Sequence, residues 1–176
     1  MNFSVLLPLS LAYSLAFCVA FTILLVTTAL IANDAWVHDY PRAIRDRYGP
    51  KSERGRRATV VAGVVLLFAT IATPLIAMLD LAARTGATPG FLDGAMFGVV
   101  MMLAWIVYDL VVLDWLLFCT IRPRFLVLPG TEDMPEYRDK AFHVKVMVPK
   151  PVPWPLLMIP GYAVVVGGVT WIASLL

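Results

Sequence analysis

At 176 residues the chain has the length of one domain, but 60% of it is hydrophobic and only 15% charged, which excludes a water-soluble globule. The net charge of +2 resides in the connections between apolar runs and suits anionic lipid headgroups, so no nucleic-acid partner is expected. Two cysteines, Cys18 and Cys119, supply no disulfide framework and read as small packing residues.

Four windows of about 20 apolar residues are each enough to cross a hydrocarbon core roughly 30 Å thick. They predict helices over residues 5–32, 58–83, 95–121 and 156–176, with long loops at 33–57 and 122–155. The predicted fold is an all-α membrane protein: a single four-helix transmembrane domain with two short amphipathic helices on its cytoplasmic side. The first window lacks a basic leader and is too long for a signal peptide, so it reads as a retained helix. Of the 14 Lys and Arg residues, seven lie in the first loop and six in the second, leaving Arg84 alone for the other side. By the positive-inside rule both long loops are cytoplasmic and both termini outside, in a bacterial plasma membrane.

Ser10, Ser14 and Cys18 recur every four residues on the first helix, and small residues at that spacing let a neighbouring helix approach. In the first loop, Asp39 ahead of Pro41 reads as an N-cap and Gly49-Pro50 as a stop. Between them Tyr40, Ile44 and Tyr48 form one face of a short helix expected to lie on the inner leaflet, with Trp36 at headgroup depth. Lys51, Arg54, Arg56 and Arg57, in the tract KSERGRR, are expected to contact lipid headgroups. Pro74 in the second helix deprives the carbonyl four residues earlier of its backbone donor, a kink tolerated only if a neighbour satisfies it. Asp80 and Arg84 form a favourable helical pair.

The third helix carries two carboxylates, Asp109 and Asp114, at membrane depth. An ionisable group there costs roughly 2.5–3.5 kcal/mol on insertion scales and must find protein, water or a counter-charge. Stepping about 100° per residue, Asp109 faces the bundle interior, while Asp114 lies about 140° away, so the two do not form a dyad. Asp114 is near enough to the cytoplasmic end to be met by Arg42, Arg45, Arg122, Arg124 or His143. Met96, Met101 and Met102 do not share one face and read as core fillers rather than soft-metal ligands.

In the second loop, Asp133 and Glu136 with Pro135 suggest a capped amphipathic helix on the membrane, displaying Met134, Tyr137, Ala141, Val144 and Val148. A strand over 142–148 competes with it. On such a helix Glu136, Asp139 and His143 share a face and, with His38 or Asp34, permit a divalent metal. Exposed groups of this kind are ordinarily a helix's solvated face, so no cofactor is expected. Pro149, Pro151, Pro153 and Pro155 form an extended lead-in to the fourth helix, where Gly167-Gly168 is expected to pack closely.

The run LDWLLFCTIRPRFLVLPGTEDMPEYRDKAFH, residues 113–143, resembles bacterial four-helix integral membrane proteins, a resemblance that brings no function with it. No G-x-S-x-G, H-E-x-x-H, P-loop or Rossmann pattern occurs, and two histidines are too few for a histidine-box di-iron site. Three readings follow, in order. The first is a structural or interaction protein, an accessory subunit working as a homo-oligomer or within a larger membrane complex. The second is a small proton- or cation-coupled transporter or channel using Asp109, and the third an inner-leaflet membrane enzyme.

Overall fold

The computed structural model describes residues 2–175. Their regular structure is entirely helical: α1 (Phe3–Ile31), a 3-10 turn (Val37–Asp39), α2 (Arg42–Tyr48), α3 (Glu53–Thr85), α4 (Phe91–Tyr108), 3-10 turns at Arg124–Leu126 and Pro135–Arg138, α5 (Lys140–Met147) and α6 (Trp154–Ala173). The helix of α4 continues without a break into thirteen residues of π-helix, Asp109–Ile121. Four helices are long and apolar enough to cross a membrane: α1, α3, α4 with its π segment, and α6.

The chain forms two compact units. The first comprises Met1–Val19, Phe68–Tyr108 and Met147–Leu176. Its tightest packing joins α4 to α6 through glycine. A Cβ on Gly98 would stand 3.0 Å from Ala163 Cα, and one on Gly94 would stand 2.8 Å from the Val166 carbonyl. GAMFG, over 94–98, is thus a small-xxx-small contact. Gly167 is packed against the Phe91 backbone, whereas Gly168 faces open space, so only one of the two adjacent glycines makes the expected close approach. Ser10 and Ser14 are fully buried and donate back to the carbonyls four residues earlier, at 2.7 Å each. Tyr13 donates to Asp80, which is also held by Arg84 at 2.8 Å. The carbonyl orphaned by Pro74 is that of Thr70, and Tyr162 Oη donates to it at 2.8 Å. An aromatic hydroxyl from α6 therefore satisfies the group that proline leaves bare.

The second unit comprises Ala20–Leu67 and Asp109–Val146, and its core is made by the loops. Tyr40, Ile44, Leu128 and Tyr137 are fully buried and pack with Val37, Phe118 and Cys119. Tyr40 donates to the Leu126 carbonyl at 2.8 Å, and the Tyr137 hydroxyl accepts from the Leu128 N–H at 3.0 Å. The face of Tyr40 and Ile44, expected to lie on lipid, is turned into this core, with Trp36 and Tyr48 packed against it. Gly49, with φ of 94°, ends α2 as its sequence predicts.

Several caps differ from expectation. Asp39 belongs to the 3-10 turn and makes no side-chain cap for α2. Asp133 binds Arg47 at 3.0 Å instead of capping the second loop's helix. The second helix begins at Glu53, about a turn earlier than its apolar run, because Asp34 accepts from the Ser52 N–H at 2.5 Å and Ser52 Oγ accepts from the Gly55 N–H at 2.9 Å.

Candidate functional site

The site grows from the change of helical pitch at Asp109. Each π turn closes on the fifth residue rather than the fourth, so residues five apart stand in one row. Burial follows that row: Val111, Leu116 and Ile121 are exposed, while Leu113 and Phe118 are buried. The α-helical stepping that separated Asp109 from Asp114 by about 140° does not apply here. The two carboxylates are one π turn apart and share a row with Cys119.

His143 comes to Asp114 from α5. Its Nδ1 lies 3.0 Å from Asp114 Oδ1, and only 7% of its side chain is accessible. Two aromatic rings flank the imidazole, Phe118 and Phe142, each with its centroid 5.2 Å away. Trp115 adds a second tie between these elements by donating from Nε1 to the Lys140 carbonyl at 3.3 Å. Nε2 of His143 is buried and has no hydrogen-bond partner among the described residues.

Further charges surround the pair. Asp109 is half-buried and within electrostatic range of Asp114, Asp39 and His143. Asp39 feels Lys51, Asp114, His38 and His143. Loss of water from its surroundings raises the Asp39 carboxyl above the usual range, with Asp114 adding to the effect and Lys51 opposing it. Lys51, expected at the headgroups, is turned inward: Nζ donates to the Ala35 carbonyl at 2.6 Å and to Thr59 Oγ1 at 2.9 Å. Desolvation holds its ammonium below the usual lysine range against the opposing charges of Asp39 and Asp34.

Of the five basic groups within reach of Asp114, His143 is the one placed against it. Arg42 pairs with Asp46 on the surface, and Arg45 has its Nε buried without a hydrogen-bond partner among the described residues. Neither Arg122, in the positive-φ position that ends the π segment, nor Arg124 makes an ion pair with Asp114. The proposed metal set is not assembled. The second loop's helix is broken at Asp139, which has ψ of 82° and accepts from the Phe142 N–H, so Glu136, Asp139 and His143 lie on no common face. His143 is turned inward, while Val144 and Val148 are exposed. No group of three or more His, Cys, Asp or Glu among the described residues is arranged to hold a metal. Arg54, Arg56 and Arg57 remain on the surface, the last two held by Glu53.

Sequence reasoning missed Asp39 and Lys51 as members of the cluster and Asp34 as the cap of α3. The signal for Asp34 was the S-x-x-G step at Ser52–Gly55, which marks a helix start but not the acceptor that crosses to it. Chemically, an imidazole bonded to a carboxylate through Nδ1–H presents Nε2 as a lone-pair acceptor. Proton exchange is what this arrangement supports. Comparison with known protein families, with curated proteins and with solved structures finds no match to this chain.

Proposed function

We propose that this chain is a small multi-pass protein of the bacterial inner membrane that couples proton exchange to transport, through His143, Asp114 and Asp109. The observation that carries the reading is the buried, unpartnered Nε2 of an imidazole whose other nitrogen is held by a membrane-depth carboxylate. A proton taken up there makes a cation that Asp114 stabilises directly and that Asp109 and Asp39 stabilise through their charge. Asp109, one π turn further into the apolar helix, is the next acceptor along the row. Both long loops are cytoplasmic and the anionic inner leaflet is the lipid partner, on the distribution of basic residues. The residues alone rank an accessory structural subunit first, and the unpartnered imidazole nitrogen reverses that order.

The test is proton flux into proteoliposomes under an imposed potential, followed with an entrapped pH dye. Wild-type protein should acidify the lumen faster than empty vesicles, and Asp109→Asn and His143→Gln should each slow it by about a hundredfold or more, the lower end for loss of a proton-transfer group. Flux equal to that of empty vesicles would return the protein to the structural reading. That reading draws on a separate observation, the buried loop core around Tyr40 and Tyr137, which holds the long loops of the second unit in a packed arrangement.

A further inference from the structure

Between α1 and α3 the second unit holds a groove of about 630 Å³ lined by Leu24, Thr27, Ile31, Ala58 and Val61, with Arg54 and Arg57 at one end. Its walls are almost wholly apolar, and small residues keep it open: Thr28 and Ala62 are buried at its floor. Ile31 and Arg54 also line a second hollow of about 320 Å³, whose other walls include Asn33, Ser52 and Phe125. An apolar channel and a polar hollow therefore meet at one arginine.

We propose that this double cavity binds one anionic phospholipid, with an acyl chain in the groove, the phosphate on Arg54 and Arg57, and the polar headgroup in the hollow beside Asn33 and Ser52. Charge complementarity identifies the occupant. The first turns of α3 carry Arg54, Arg56 and Arg57 against one carboxylate, Glu53, which is already held by Arg56 and by Arg57 at 3.1 Å. Arg54 has no carboxylate partner among the described residues and stands where the two cavities join. Asp34 also borders the hollow, but its carboxylate is engaged by the Ser52 N–H, which leaves the α3 N-terminus capped and the arginines as the anion's donors. A zwitterionic lipid would fill the groove equally well and gain less from the guanidinium groups.

Native mass spectrometry of the whole protein released from detergent tests this, with phosphatidylglycerol and phosphatidylcholine of the same chains titrated in competition. The wild type should retain one phosphatidylglycerol in preference, and Arg54→Gln should cut that preference about fivefold, the effect of one basic group at an anionic surface. Arg56→Gln, which removes a neighbouring charge outside the cavity, should leave the preference intact. Thr27→Trp, at an exposed position on the groove wall, should lower retention of both lipids. Equal losses for Arg54→Gln and Arg56→Gln would reduce the effect to diffuse attraction and overturn the site. A lipid-free dimer would assign the groove to a second copy and overturn it as well.

Discussion

Tyr162 donates its hydroxyl to the Thr70 carbonyl, the group that Pro74 leaves without a backbone donor. The orphaned carbonyl is legible in the sequence, because proline fixes which residue loses its bond. Its donor is not legible, since Tyr162 lies 92 residues away and nothing local points to it. Tyr162→Phe removes only the hydroxyl and should destabilise the detergent-solubilised protein by about 1–3 kcal/mol, the cost of an unsatisfied buried polar group. An unchanged melting curve would mean that Thr70 is satisfied otherwise. Asp34 gives a pH-dependent counterpart. Burial alone would raise its carboxyl, but bonds from Ser52 and Tyr48 outweigh that and hold it below the usual range. Its stabilising contribution is therefore complete above the ordinary Asp value of about 3.9 and is lost as pH falls through the lower folded value. Wild type should melt above Asp34→Asn at neutral pH, and the gap should close in acid. A gap that widens in acid would contradict the assignment.

At the scale of elements, the ends of the long helices were legible where composition changes abruptly, as at Ile31. They were not legible where a cap crosses the loop, as Asp34 does to start α3. The loop elements were read on continuous α-helical periodicity, which fails at Asp139, so the single helix expected there divides into the 3-10 turn at Pro135–Arg138 and α5, whose buried residue is His143. The π segment was misread for the same reason: its apolar residues fit a helix, and only the five-residue rhythm of burial reveals its pitch. Glycine contrasts test the α4–α6 contact. A Cβ at Gly167 would meet the Phe91 carbonyl at 2.8 Å, whereas Gly168 has nothing within 4 Å. Gly167→Ala should destabilise by about 1–3 kcal/mol through overpacking. Gly168→Ala should be neutral or stabilise by up to about 1 kcal/mol through helix propensity. Equal effects in thermal melts would show that the two faces are not distinguished.

For the whole molecule, the orientation and the proposed proton exchange are linked, because a cluster built from the basic loops would receive protons from the side those loops occupy. Cys18 and Cys119 are both buried, so a single introduced cysteine reports its own position. In intact cells an impermeant thiol reagent should modify Ala87→Cys and spare Glu132→Cys, both exposed positions. The reverse pattern would invert the topology and the direction of proton entry. The reading of the chain as a proton-exchanging protein rests most directly on the protonation of one imidazole. Nitrogen-15 spectra of His143 in membrane-reconstituted protein should show its neutral imidazole with the proton on Nδ1 and Nε2 bare, the tautomer that Asp114 selects. A neutral imidazole that carries its proton on Nε2 and leaves Nδ1 bare would contradict it.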